Sequence, residues 1–455
     1  MKNLGRFLWA GLMVVVAATT TASPAQALND DAVAEILEVL RNRGLLDQSE
    51  YERLASKHEL QRGLAQADVA ADKGGIFSGF DWSGDLRLRY EGARYEDNPD
   101  SRSRFRYRLR FGFTKPINDW LSVGMRIASG DCIGGSDPGG CEGGTPRSTN
   151  RSFGTGGDFD LDPLWIDRAY AAIRLPEGPA GLENSLVVGK MGNPFRWSEM
   201  PDLVVWDADT SVEGFALKTG VSPAEGTRLF SRVGYLVSDQ NSSNADPHVT
   251  AVQVGGTTML SDALSLGLRG SGYFWHSLGA DDGAFKTRAE SFGNLPGAFD
   301  DGAEIAELAG FVKFATAPEW PVKLYGMYAK NFSAKSGLAP VSNDPGDGLA
   351  PAGKDDTAWG AGVEFGSATK IVKLGAGYYE VEANSVIASM TDSNLFDGET
   401  NRKGWVFTGS RNLTNAVAVR AALYKSKWID DSPAYFNSFD EADRYRFQTD
   451  LVINY

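Results

Sequence analysis

Four arginines stand at alternate positions, Arg104, Arg106, Arg108 and Arg110. Phe105, Tyr107 and Leu109 separate them, and Phe111 and Phe113 follow. Guanidinium groups at this density bind oxyanions, and interleaved with aromatics they suit single-stranded nucleic acid. An extended chain offers another reading. Successive side chains point to opposite faces, so this stretch has one cationic face and one apolar face. The net charge of −14 argues against nucleic acid, which needs a basic footprint.

Other chemistry-bearing clusters are weaker. "GLAPAGKD" (348–355) has the glycine and lysine spacing of a phosphate loop, but Asp355 stands where a Ser or Thr would hold magnesium. Asp158, Asp160 and Asp162 resemble part of a calcium loop, with Pro163 where that loop needs glycine. His58, His248 and His276 are too scattered for a site, and no G-x-S-x-G, H-E-x-x-H or C-x-x-C occurs. No catalytic residue, metal site or cofactor is expected. Cys132 and Cys141 bracket a short Gly-rich loop, and in an oxidising compartment a disulfide is the default pairing.

The elements that must position these groups begin with the chain's start. Lys2 and Arg6 precede the apolar run Phe7–Ala18, and Ala25-Gln26-Ala27 offers small residues for cleavage. This predicts a signal peptide over 1–27, too short for a membrane anchor. Residues 28–78 form a leader and linker. Val33, Ile36, Leu37 and Leu40 share one helical face, and Ser49 and Glu52 have capping-box spacing, so two short helices are expected on the periplasmic side. A loosely ordered leader is the alternative.

From residue 79 to 455 the period becomes two. The pattern predicts an all-β, transmembrane, antiparallel up-and-down barrel of about 16 strands. They run 80–91, 103–115, 119–129, 163–175, 184–194, 209–220, 227–237, 248–259, 263–275, 303–316, 321–332, 356–367, 370–381, 402–412, 415–427 and 442–455. Connections after even strands are short, and most after odd strands are long and rich in Asp, Gly, Ser and Asn. That alternation suits a meander with two unlike rims.

Arg at the midplane of a barrel's lipid face costs about 2–4 kcal/mol. The four arginines therefore point inward. So do Arg87, Arg89, Arg126, Arg228, Arg232, Arg269, Arg420, Arg444 and Arg446, which take the polar phase of their strands. Closure brings the sixteenth strand beside the first. One wet, positive lumenal wall is expected from Arg87, Arg89, Arg104, Arg106, Arg108, Arg110, Arg444 and Arg446, with weak anion preference. The third long connection, 193–211, carries Phe195, Trp197, Met200, Leu203, Val204, Val205 and Trp206. It is expected to fold inward as a constriction and present Arg196, Glu199, Asp202, Asp207 and Asp209 to the lumen.

"VVGKMGNPF" (187–195) and "DLVVWDADTSVEG" (202–214) resemble the recurring strand–loop segment of the putative-porin family of Gram-negative outer membranes. The resemblance covers nearly the whole chain after the signal peptide. It implies an outer-membrane channel for passive diffusion of small hydrophilic solutes, a homotrimer, and contact with outer-membrane lipid and lipopolysaccharide. It also implies that the apolar face ending in Phe447, Leu451, Ile453 and Tyr455 is read by the barrel-assembly machinery. The Pro-Glu-Phe-Gly-Gly stretch of well-known general porins is absent from the third loop. Rival readings are an adhesive or structural barrel and a barrel enzyme.

Overall fold

The computed structural model describes residues 78–455 apart from 96–100, 134–142, 145–146, 156, 158–160, 241–244, 279–291, 296–297, 300–301, 316, 318, 337, 341–348, 352 and 430–442. The signal peptide, the helical leader and Cys141 lie outside the described residues, and with Cys141 so does the expected disulfide. Asp158 and Asp160 lie outside as well.

Sixteen antiparallel strands form a closed barrel. They are β1 Asp81–Tyr95, β2 Arg102–Pro116, β3 Leu121–Ser129, β4 Leu164–Gly178, β5 Leu182–Gly192, β6 Ser211–Ala224, β7 Thr227–Val237 and β8 His248–Ser261. Next come β9 Leu264–His276, β10 Gly302–Phe314, β11 Val322–Asn331, β12 Thr357–Gly366, β13 Lys373–Val381, β14 Arg402–Asn412, β15 Val417–Trp428 and β16 Arg444–Asn454. Each pairs with the next, and β16 closes on β1 from Asp85 opposite Asn454 to Tyr95 opposite Arg444. Tyr455 extends the seam, accepting from Gly84 N at 2.9 Å and donating back to Gly84 O at 3.1 Å.

All the expected strands are present, with shifted ends. The fifth runs 182–192 in place of 184–194, and the sixth 211–224 in place of 209–220. Registers shift at Arg126/Ile127 between β3 and β4, at Leu175/Gly178 between β4 and β5, and at Thr227/Leu229 between β6 and β7. An extra residue at a bulge reverses the alternation, which blurs the sequence pattern on these strands. The short rim has tight turns. Asn118 shapes one of them: its Oδ1 accepts from Trp120 N at 3.0 Å and Leu121 N at 2.8 Å. "GLAPAGKD" is no phosphate loop: Leu349–Pro351 pairs with Leu338–Pro340 as a small hairpin.

The two faces obey different solvents. Leu88, Phe105, Val254, Leu268, Leu308 and Trp405 are exposed on the outside. The core lies inside. There, the inner faces of β8 to β13 contribute Ala251, Tyr273, Ile305, Ala309, Phe311, Met327 and Tyr379 to one apolar cluster. Loop residues complete it, as described next.

Candidate functional site

The third long connection folds into the barrel. Phe195, Trp197, Met200, Val204, Val205 and Trp206 are all buried against the apolar half of the wall. Gly267 makes room for them, since a Cβ there would lie 2.8 Å from the Trp197 ring. Polar groups fix the entry of the loop. Gln253 Nε2 donates to Phe195 O at 2.7 Å, and Arg232 Nη1 donates to Pro194 O at 2.6 Å. Arg269 makes the strongest attachment. Its Nη1 and Nη2 reach the two oxygens of Asp202 at 2.8 and 3.0 Å, and Nη2 also reaches Glu307 at 2.6 Å. Arg269, Asp202 and Glu307 are almost fully buried.

The opposite half of the wall carries the arginines. Arg87, Arg89, Arg106, Arg108 and Arg446 are buried on the inner phase, and Arg104, Arg110 and Arg444 share it. The wall is not simply positive. Asp85, Glu91 and Asp450 lie on the same phase. Asp85 pairs with Arg108 at 2.6 Å and also with Arg110. Glu91 takes Arg446 at 2.6 Å and accepts from Arg104 Nε at 2.6 Å. Asp450, directly opposite Arg89 in the sheet, binds it at 2.6 and 2.8 Å. Arg126 pairs with Asp167. The wall expected to be positive is laced with ion pairs among the described residues, because burying this many guanidinium groups requires counter-charges.

The loop carboxylates divide. Asp209 faces the arginine wall, with Arg108 at 3.3 Å and Arg87 at 4.0 Å. Burial would raise its pKa, but Arg108, Arg87 and Arg110 hold it below the usual carboxylate range. Glu199 is exposed in the interior and lines a cavity. Arg196, half-buried, gives its carbonyl to Arg232 at 3.1 Å. Asp202 and Asp207 do not present themselves to open lumen, contrary to expectation. Asp202 is spent on Arg269. Asp207 accepts from Asp209 N at 2.7 Å and Ser393 N at 2.6 Å. Burial, then Asp392 and Asp209, push the Asp207 carboxyl well above the ordinary range.

Ser393 belongs to a second inward connection, 382–401, which the sequence reading missed. Val386, Ile387, Ala388, Leu395 and Phe396 are buried. Asp207 N donates to Met390 O at 2.7 Å, and Asp392 N to Leu203 O at 3.2 Å, so the two loops are joined. Asp397 takes Arg446 and Arg444, each at 2.6 Å. A third segment joins them, where Arg147 Nη1 donates to Gly398 O at 3.0 Å and Thr149 Oγ1 to Asp209 at 3.1 Å. The available signal was an apolar run set among Asn, Ser and Asp.

Two cavities flank the third loop. One of 980 Å³ opens toward the short turns and is lined by Trp120, Arg174, Trp197, Glu199, Lys218 and Arg232, among others. Another of 620 Å³ lies toward the long loops, beside Trp206, Thr210, Trp275 and Met390. Of the acidic turn considered for calcium, Asp162 is engaged by Arg151 and by the Tyr107 hydroxyl, both at 2.6 Å. The C-terminal residues Phe447, Leu451, Ile453 and Tyr455 alternate with the buried Arg446, Gln448, Asp450 and Val452 and so take the outer phase.

The chain matches the family described as Putative porin over residues 93–291 and 303–442. No curated protein sequence matches it. Among solved structures, the high-pH structure of Pseudomonas putida OprB is similar, with a TM-score of 0.51 and 12% identity over 86% of this chain and 97% of that one. The Salmonella typhi OmpF complex with daunomycin is 13% identical over 83% of this chain and 97% of that one, with a TM-score of 0.46. At such identities the OprB likeness is one of fold. A closed sixteen-stranded barrel and a family match across most of its length lead to one conclusion: the chain belongs to the putative-porin family, as a non-enzymatic β-barrel of the outer membrane.

Proposed function

We propose that the protein is a passive, water-filled channel for small hydrophilic solutes or ions, narrowed by its third loop. The observation that carries this reading is the loop itself. Arg269 and the apolar cluster hold it across the interior, opposite the arginine wall, with a cavity on either side. Fixed charges of both signs then border the narrow zone through Asp209 on the loop and Arg87, Arg104, Arg106, Arg108 and Arg110 on the wall. Such a constriction selects by size and field. Liposome swelling tests it. Vesicles carrying the folded protein should swell in small sugars, more slowly as the sugar grows. Folded barrel that leaves the vesicles impermeable would overturn the reading.

In the same reading residues 1–27 direct export and are removed, the short turns face the periplasm, and Cys132 and Cys141 close an external loop. The assembled form is a homotrimer in contact with outer-membrane lipid and lipopolysaccharide. A native mass in detergent equal to one chain would contradict the trimer. The terminal apolar face through Tyr455 serves recognition by the assembly machinery.

A further inference from the structure

The pairing registers set one residue from each of four consecutive strands in a single row. Arg174 of β4 stands opposite Ser185 of β5, Ser185 opposite Lys218 of β6, and Lys218 opposite Arg232 of β7. A cross-strand row shares one face of the sheet. All four residues line the 980 Å³ cavity. Like charges directly opposite in a sheet repel, yet Lys218 and Arg232 are such a pair.

The rest of the interior solves this problem with acids, as Asp85, Glu91 and Asp450 do on the arginine wall. Here the nearest acid is already engaged: Asp202, whose charge reaches Arg232, is gripped by Arg269. Among the described residues, Lys218 makes no hydrogen bond or ion pair, and the charges that act on it most are Arg232 and Arg168, both positive. Asp167, 3.9 Å from Arg168, is taken up by Arg126. Arg232 spends Nη1 on Pro194 O, Arg196 O and Gln253 Oε1, while its Nε and Nη2 make no hydrogen bond among the described residues. The cavity's own acids are engaged or peripheral. Glu183 pairs with Arg228, Asp119 and Glu177 lie at exposed turns, and Glu199, exposed on the loop, acts on Lys323.

Beside these cations is an aromatic pair. Trp197 and Phe230 have ring centroids 6.2 Å apart, and the Arg232 guanidinium lies 4.7 Å from the Phe230 centroid. A half-buried cation without a counter-charge is costly, and an incoming anion supplies what the fold omits. The apolar rings favour an anion with a flat carbon body over a fully hydrated one.

We propose that this row is a binding site for a small organic carboxylate. Lys218 and Arg232 hold the oxyanion, and Trp197 and Phe230 meet the apolar body. The proposal rests on the channel reading only for how the ligand arrives.

Calorimetric titration of the full-length protein in detergent with benzoate tests it, with acetate, inorganic phosphate and glucose alongside. Saturable benzoate binding, weaker acetate binding and no glucose binding are expected. Lys218→Gln should weaken benzoate by about tenfold or more, as loss of a charged hydrogen-bond partner does, and Lys218→Arg should restore it. Unchanged benzoate affinity in a folded Lys218→Gln barrel overturns the site. Phosphate binding as tightly as benzoate overturns the carboxylate assignment. Conductance without benzoate binding removes this proposal and leaves the channel. Benzoate binding without conductance does the reverse.

Discussion

Arg269 on the barrel wall grips Asp202 on the third loop through Nη1 and Nη2, at 2.8 and 3.0 Å, with Arg269, Asp202 and the neighbouring Glu307 all sealed from solvent. Removing one partner of such a buried pair costs about 3–5 kcal/mol, because the other charge is stranded. Arg269→Met strands both Asp202 and Glu307. We expect the loop to lose its seat, the channel current to become noisy, and the loop to become cleavable by protease in an otherwise folded barrel. A quiet, protease-resistant Arg269→Met channel would show that the apolar cluster alone holds the loop.

The barrel seam offers a second test. A Cβ on Gly84 would lie 2.3 Å from Arg110 O and 2.7 Å from the Tyr455 ring. Neither backbone nor a stacked aromatic yields easily there. Gly84→Val should therefore hinder closure of β1 on β16 and reduce heat-modifiable barrel in the outer membrane. Tyr455→Asp should do the same by spoiling the terminal apolar face. Tyr455→Phe loses only the hydroxyl bond to Arg110 O, at 3.0 Å, and should assemble. Normal amounts of Tyr455→Asp barrel would refute this account of the terminus.

Much of this was legible in the sequence, for a physical reason. Inside and outside of a barrel are different solvents, so period two marks both the strands and their phase, and Arg104 to Arg110 could be turned inward by energy alone. The apolar run from Phe195 to Trp206 likewise marked an inward loop. Asp85 and Glu91 share the parity of Arg87 and Arg89, so their pairing was readable but needed both signs to be counted together. The links of Asp202 to Arg269, and of Asp207 to Ser393, join residues far apart in sequence, and no local pattern encodes them. Bulges erased the phase on the fourth to sixth strands.

Acidity acts on the loop junction through Asp207 and Asp209 in opposite directions. Asp207 is raised in the fold by burial, Asp392 and Asp209. Its contribution is present below the ordinary carboxylate pKa and is lost as pH rises through the raised value. Asp209 is depressed, so its contribution is present above the ordinary pKa and is lost as pH falls through the depressed value. The junction should therefore loosen as pH rises from the ordinary carboxylate range through that raised value, read as faster loop proteolysis. Asp392→Asn keeps the Oδ1 acceptor for Asn394 while removing a negative neighbour. It should flatten that loss. An unchanged profile in Asp392→Asn would contradict the coupling.

Selectivity depends on pairs, not on arginines alone. Asp85 neutralises Arg108 and Arg110 together. Asp85→Asn should shift the reversal potential in a salt gradient toward anions. Arg106→Gln with Arg108→Gln should shift it toward cations. If neither change moves it, these groups do not border the conducting path.

Single-channel recording in planar bilayers tests the central claim most directly. The purified protein should insert in discrete steps, with a current that rises with salt concentration as a water-filled pore requires. Folded, membrane-inserted barrel that never conducts, in any salt and at any moderate voltage, would mean that its inward loops seal the barrel and that it is not a channel.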